Sequence, residues 1–275
     1  MSDVVALHGV CTGVTIFPLT PSRVANKNSM RALTILLAAT FAAAPTSAQQ
    51  RADTTYQPEV THPAYSAGSG PTVLIDAAHH NFHTLDGRFL AFGRVLQRDG
   101  YVVRSSESAY SRSVLEGVDI LVVSNALNER NVSDWSLPTP SAFTGEEIAA
   151  VREWVTAGGS LWLIADHMPM PGAASDMAAA FGFSFNNGFA IDTLSRERTI
   201  FRRSDGSLRD HPITNGRDAD ERIDSVRTFT GQAFQAQGKV EPLFVFRHPT
   251  VSLMPDVAWE FGADTRMVSV HGWYQ

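Results

Sequence analysis

The repeated alternation of short apolar runs with helical patterns constrains the fold most strongly. The runs are rich in β-branched residues, as buried strands are, and apolar residues recur at helical spacing between them. The strand-like runs span 72–75, 101–104, 118–124 and 160–164, and the helical patterns span 85–96 and 148–155. Gly100 marks the end of the first helical pattern, and the capping-box spacing of Thr144 and Glu147 marks the start of the second. A short helix is expected around 174–181, after a loop that contains Pro and Gly. This alternation predicts an α/β fold with a mostly parallel, doubly wound sheet and right-handed crossovers.

The pattern changes after residue 183, where helical spacing gives way to short strand-like runs. We expect strands at 199–203, 225–234, 243–247 and 267–271. Asp205 and Gly206 suit a turn with positive φ and predict a hairpin after the first of these runs. The C-terminal half therefore predicts later sheet strands together with a β-rich insertion over the carboxyl edge of the sheet.

The N-terminus carries an export signal that begins at Met30. Met30 and Arg31 precede an apolar stretch, 32–44, and small residues lead to Ala48. This arrangement predicts a secretory signal peptide at 30–48, and a periplasmic or extracellular location follows from it. The same interpretation makes residues 1–29 an over-extended N-terminus and 49–70, which lack periodicity, a flexible leader. A buried N-terminal helix is the alternative.

Charge and cysteine content exclude several classes of function. The net charge is −6 and becomes −8 once Arg23, Lys27, Arg31 and Asp3 leave with the predicted signal. An acidic chain without a basic stripe is not expected to bind nucleic acid. Cys11 is the single cysteine and is also removed, so the mature chain has no thiolate nucleophile and no disulfide. After cleavage we expect no membrane span.

Two predicted strand tips carry most of the candidate chemistry. The first supplies Asp76, His79, His80, Asn81 and His83, and the fourth supplies Asp166 and His167. In a doubly wound sheet, ligands sit beyond the carboxyl ends of the strands, where these tips can lie together. We take Asp76, His79, Asp166 and His167 as catalytic candidates. A divalent metal would find its candidate ligands among His79, His80, His83, Asp166 and His167.

Other interpretations of the strand tips stay open. The aspartates can cap loop amides and the histidines can be packed or solvated polar groups, without any metal. Ser124 ends the third run but lacks the G-x-S-x-G elbow of a serine nucleophile. The Ser124 hydroxyl can instead help to form the turn after the run. We take Ser124 and Asn125, with Asn81 and His83, as ligand-binding candidates.

Several stretches, taken in order, resemble class I glutamine amidotransferase-like domains, and within them an uncharacterised bacterial branch of domains of unknown function. The resemblance covers 71–275 and implies a flavodoxin-like three-layer sandwich. It rests on Val73-Leu-Ile-Asp76 with His79 to Asn81, Asp119-Ile-Leu-Val-Val-Ser-Asn125, Thr144-Gly-Glu-Glu-Ile148, Gly158-Gly-Ser-Leu-Trp-Leu-Ile-Ala-Asp-His167 and His211-Pro-Ile-Thr-Asn-Gly216.

The departure from this family concerns its nucleophile. Working amidotransferases carry a cysteine in a glycine-flanked elbow, whereas the corresponding turn here, Ile164-Ala-Asp-His-Met-Pro169, has neither. Family members also continue past Gln275 with a further loop and strand, which raises the expectation of a C-terminal truncation. A related sugar-utilisation group makes a carbohydrate ligand conceivable.

Two functions remain compatible with these observations. The first is an exported, non-catalytic module that binds a small molecule, a carbohydrate or a partner at the former active-site edge. The alternative is a hydrolase that uses a metal, or Asp/His acid-base chemistry, at the carboxyl edge of the sheet. Fold resemblance alone does not choose between them.

Overall fold

A four-stranded parallel sheet forms the core of the N-terminal half of the described chain. The computed structural model describes residues 52–194 and 199–275, so the predicted signal peptide and residues 1–29 lie outside the described residues. The strands of the sheet are β1 (Thr72–Asp76), β2 (Val102–Ser106), β3 (Ile120–Ser124) and β4 (Ser160–Ile164). Their order is β2-β1-β3-β4, and all three pairings are parallel.

Helices pack against both faces of this sheet. They are α1 (Leu90–Arg98), α2 (Gly145–Thr156) and α3 (Met170–Ala179). Alternate residues of β1 and β3 point to opposite faces: Val73, Ile75 and Val122 pack with Phe89 and Phe92 on the α1 side, whereas Leu74, Leu121 and Val123 pack with Val151 and Met177 on the α2 and α3 side. The predicted α/β class is therefore confirmed.

Local sequence signals set the ends of α1 and α2. Thr144 and Glu147 form a reciprocal capping box at the start of α2, as the sequence predicts. At the end of α1, the Gly100 amide donates to Gln97 O and the Tyr101 amide to Leu96 O, which is a Schellman motif. Gly100 has a φ of 95° there, a conformation that glycine adopts without steric cost.

Helix α3 begins four residues before the predicted start near Ala174. The sequence 168–172 contains Pro and Gly, which predict a loop. Pro171 instead lies in the first turn of α3, where the amide that proline lacks has no partner within a helix anyway.

The leader segment 52–70 is irregular, and polar contacts tie it to the region around α1. Arg94 Nη1 donates to the carbonyls of Thr54 and Tyr56, both at 2.8 Å. Asp99 Oδ1 accepts the Ala64 amide at 2.7 Å. These contacts hold the leader against the domain.

The C-terminal half is a set of small antiparallel sheets. Its elements are β5 (Phe183–Phe185), β6 (Phe189–Asp192), β7 (Ile200–Arg202), α4 (Pro212–Asn215), β8 (Ser225–Arg227), β9 (Phe234–Ala236), β10 (Thr250–Met254) and β11 (Arg266–Ser269). The sheets have the orders β11-β10-β6, β5-β9 and β7-β8. Among the described residues none of these strands joins the parallel sheet, so the expectation of later strands in that sheet is wrong.

The predicted hairpin at Asp205 and Gly206 is also wrong in its partner strand. The chain does turn there, with Gly206 at a φ of 73° and the Leu208 amide donating to Arg202 O at 3.0 Å. However, the Arg202 amide donates to the Ser207 hydroxyl, so it does not donate to a carbonyl of a paired strand. Strand β7 pairs instead with β8, more than 20 residues later.

No helix among the described residues is long and apolar enough to cross a bilayer.

Candidate functional site

The carboxyl ends of β1, β3 and β4 form one polar edge. The chain leaves β1 through α1 to reach β2 on one side, whereas β3 lies on the other side of β1. Such a change of direction opens a crevice at the carboxyl ends of the strands. Ser124 and Asn125 at the end of β3 lie between the β1 tip and the β4 tip. The edge therefore holds two groups of side chains.

The first group is a buried cluster of Asp76, His79 and Glu147. His79 Nδ1 lies 3.0 and 2.9 Å from the two carboxylate oxygens of Asp76, and its Nε2 lies 2.8 Å from Glu147 Oε1. The exposed fractions of these three residues are 1%, 6% and 6%. Both imidazole nitrogens therefore face carboxylates, an arrangement that only the doubly protonated ring satisfies by donating on both sides.

Electrostatics agree with a charged His79. Burial by itself lowers its pKa, but the hydrogen bonds and charges of Asp76 and then Glu147 outweigh burial, and the pKa of His79 is raised above 6.5. Burial opposes ionisation of Glu147 as well, yet the Thr144 amide, His79 and the Tyr110 amide lower the pKa of Glu147. From this geometry we assign the cluster as an ion triad of two carboxylates and one imidazolium.

Tyr110 and Asn81 complete the surroundings of this triad. Asn81 Nδ2 donates to Asp76 Oδ2 at 2.9 Å, while its Oδ1 accepts the His79 amide at 3.0 Å. The Tyr110 ring lies 4.6 Å from the His79 ring. Burial, and then the Asp76 charge, raise the pKa of Tyr110 well above its ordinary value. Asn81 is thus part of the support of Asp76 and His79.

The structure separates the candidate metal ligands. His79 has no ring nitrogen left for a metal, because both nitrogens contact carboxylates. His80, at a φ of 48°, is exposed to solvent. Across residues 52–194 and 199–275, no three His, Cys, Asp or Glu side chains converge in a way that could hold a metal ion.

The second group brings together His83, Ser124, Asn125 and Asp166. His83 Nδ1 lies 3.0 Å from Ser124 Oγ. Asn125 has a φ of 50°, and its Oδ1 accepts the Asp166 amide at 2.9 Å. Asp166 Oδ1 accepts the Thr230 hydroxyl at 2.7 Å. The β3 and β4 tips are thereby joined to the C-terminal half of the domain.

His83 is a half-buried neutral ring in this group. It stacks on Phe89 with 4.8 Å between ring centroids and 13° between ring planes. Burial, followed by the charge of Arg88, lowers the pKa of His83 against the opposing influence of Asp166. Within the described part of the chain, its Nε2 has no hydrogen-bond partner.

His167 is a buried ring with a fixed proton. Its Nδ1 donates to Met168 O at 2.7 Å. Phe189 stacks on the ring at 4.6 Å and 15°, and Trp259 meets it edge-on at 4.6 Å and 73°. Burial lowers the pKa of His167, although Asp166 and the Met168 carbonyl act in the other direction. The neutral ring therefore keeps its lone pair on Nε2, which has no partner among the described residues.

Sequence reasoning missed three residues of this edge. Glu147 was recognised only as the capping-box acid of α2, although its other oxygen reaches His79 across 68 positions of sequence. Thr230 falls in the run 225–234, which predicts one strand, whereas the structure places it in the connection between β8 and β9. Trp259 has a φ of 72°, and no sequence signal marks a tryptophan for that conformation.

Comparisons with known proteins add little to this geometry. No family model matches the chain, and no curated protein matches it. Among solved structures, the chain is similar to "mmIFT52 N-terminal domain", at 11% sequence identity and a TM-score of 0.48. The alignment covers 73% of this chain and 85% of that chain.

Proposed function

We propose that this protein is an exported, amidotransferase-like domain without a cysteine nucleophile, and that it binds a small polar ligand at the carboxyl edge of β1, β3 and β4. One observation carries the proposal. At this edge Asp166, His83 and His167 each have one polar atom fixed by a protein partner and a second polar atom with no partner among the described residues. Groups fixed on one side and open on the other are suited to orient a ligand.

The order of strands supports a flavodoxin-like assignment. The order β2-β1-β3-β4 equals the first four positions of the flavodoxin-like order 2-1-3-4-5. Helix α1 covers one face of the sheet, and α2 with α3 covers the other, as a three-layer sandwich requires. In folds of this type the ligand lies at the switch between β1 and β3, next to Asp76 and Ser124.

The chemistry of the edge favours binding over cysteine-dependent hydrolysis. The turn after β4 carries Asp166 and His167 in place of a cysteine, and residues 49–275 contain no cysteine. His79 is committed to Asp76 and Glu147, so it is not a free base. A carbohydrate fits this chemistry, because hydroxyl groups can bond both to Asp166 and to the Nε2 lone pair of His167.

One observation favours a second candidate, an Asp/His acid-base hydrolase. His167 is neutral, its proton is held on Nδ1, and its Nε2 lone pair can accept a proton. The metal-dependent form of this hydrolase has less support, because His79 has no nitrogen to offer. Elemental analysis of the exported protein tests that form: a stoichiometric divalent metal, lost in Asp166→Ala and His167→Ala variants, would establish it.

A ligand screen with matched variants tests the binding proposal. Sugars, sugar acids and other small polar compounds are added to the purified exported chain, and the melting temperature is measured. We expect at least one compound to raise the melting temperature of the wild type but not of Asp166→Asn or His167→Gln. Asp176→Asn is the control, because Asp176 is exposed on α3. Equal shifts in all four proteins, or no shift in the wild type, would contradict the proposal.

Whether the bound compound is cleaved distinguishes a hydrolase from a binding module. If a compound that binds is also cleaved, the rate is expected to fall as pH decreases through the lowered pKa of His167. His167→Gln is expected to abolish cleavage. A compound recovered intact after long incubation with the wild type supports a binding module.

A further inference from the structure

A large cavity lies beside the connection between β10 and β11. Its volume is about 690 Å³, within the range of sites that hold drug-sized molecules. Residues 254–257, 260–262 and 264–266 form most of its wall, together with Leu137 and Asn187. Neither Asp166 nor His167 lines it.

The wall has an exposed apolar part. Phe261 and Leu137 are each 44% exposed, and Met254 and Val257 are half-buried beside them. The Phe261 ring meets Phe189 edge-on, with 5.2 Å between centroids and 86° between planes. Phe189 is buried, so this contact anchors Phe261 to the domain while part of its surface stays open to a ligand.

The charged part of the wall is acidic. Asp256, Glu260 and Asp264 follow one another at four-residue spacing in the sequence, with apolar Val257 and Phe261 between them. Among the described residues that line the wall, Arg266 is the one cation. None of these four charged side chains takes part in an ion pair within residues 52–194 and 199–275. The carboxylates of Asp256, Glu260 and Asp264 are therefore available to a cation.

We propose that this cavity binds a linear aliphatic polyamine, such as spermidine. A polyamine carries several ammonium groups separated by methylene chains, and the wall offers three carboxylates together with exposed apolar side chains. Ammonium groups donate hydrogen bonds to carboxylates, and methylene chains cover apolar surface. A cation near an aromatic face gains additional attraction, which Phe261 can supply. An anion is disfavoured, because three carboxylates face one guanidinium.

Titration calorimetry with spermidine tests this proposal on the purified chain. We expect wild-type binding that weakens as salt is raised from low ionic strength to about 0.15 M, because the charges are exposed. Asp256→Asn and Glu260→Gln are each expected to weaken binding about threefold to fivefold. Arg266→Gln removes a like charge and is expected to tighten binding about threefold. Asp176→Asn, on α3 and outside the wall, is the matched control.

Three results would overturn the proposal. The first is no heat of binding for spermidine with the wild type at low salt. The second is an unchanged affinity in the Asp256→Asn, Glu260→Gln double variant with a native melting temperature. The third is equal binding of triethylene glycol, an uncharged chain, or of inorganic phosphate. None of these variants alters Asp166 or His167. Failure of the polyamine proposal would therefore leave the proposed ligand site at the polar edge untouched.

Discussion

His79 Nε2 lies 2.8 Å from Glu147 Oε1, and this contact joins the loop after β1 to the first turn of α2. The other oxygen of Glu147 accepts the Thr144 amide and hydroxyl, both at 2.9 Å. One carboxylate therefore closes the helix cap and neutralises a buried imidazolium at the same time. The contacts of Glu147 with His79 and Thr144 therefore support the polar edge.

Removing His79 is expected to destabilise the domain strongly. A His79→Ala variant leaves Asp76 and Glu147 buried without their shared cation, which is expected to lower the free energy of unfolding by about 3 kcal/mol or more. Urea unfolding followed by circular dichroism measures this difference. His62→Ala, in the exposed leader, is the control and is expected to stay within about 0.5 kcal/mol of the wild type. A His79→Ala loss as small as that of the control would contradict a charged triad.

The triad also predicts how stability depends on pH. The pKa of His79 is raised in the folded state, so its contribution is fully present below 6.5 and is lost as pH rises through the folded-state value. The pKa of Glu147 is lowered, so its contribution is present above 4.5 and is lost as pH falls through the folded-state value. The stability difference between wild type and His79→Gln is therefore expected to be largest between these limits. A difference that grows above neutral pH would be inconsistent with this assignment.

The capping box makes a separate, local prediction. Thr144→Ala removes the oxygen that accepts the Glu147 amide and is expected to cost about 1 kcal/mol. Thr144→Ser keeps that oxygen and is expected to retain most of the stability. Thermal unfolding of the two variants compares them directly, and equal melting temperatures would show that the side-chain cap contributes nothing.

Asn125 combines an unusual backbone conformation with a bridging side chain. Asn125→Ala loses the acceptor for the Asp166 amide and places alanine at a φ of 50°, so we expect a loss of about 2 kcal/mol. Asn125→Gly also loses the acceptor but adopts a φ of 50° without strain, and it is expected to lose about 1 kcal/mol. Chemical denaturation orders the two variants. A more stable alanine variant than glycine variant would contradict the role of backbone strain.

Export is a prediction from the sequence alone. When the full gene is expressed in a bacterial host, we expect the protein in the periplasmic or extracellular fraction with Gln49 as its first residue. Amino-terminal sequencing measures this. A cytoplasmic protein that retains Met1 would contradict a signal peptide at 30–48.

Sequence patterns predicted the parallel half of the fold well, because local signals determine it. Apolar runs gave β1 to β4, and the Thr144 capping box and Gly100 marked helix ends. The C-terminal half was harder, because β5, β6 and β10 are short strands that exist through pairing with distant partners. The predicted hairpin at Asp205 does not form, because the Ser207 hydroxyl accepts a hydrogen bond from the Arg202 amide.

The residues at the candidate site could be predicted from the sequence, but the contacts between them could not. The strand tips do supply the polar edge, since parallel strands end at one side of a sheet. However, no local pattern shows that His79 would be enclosed by Glu147, 68 residues away, or that Thr230 would bond to Asp166. Such contacts depend on how α2 and the C-terminal half pack against the sheet.

The most direct test of the carboxyl-edge site is nuclear magnetic resonance of the histidine rings, labelled with nitrogen-15, during titration with a compound that stabilises the wild type. We predict that the Nε2 signals of His83 and His167 move with the added compound, while both nitrogens of His79 stay unchanged. Both moving rings are expected to be neutral at pH 7 before addition, because their pKa values are lowered. Movement of His79 alone, or of none of the three rings, would contradict a ligand site at this edge.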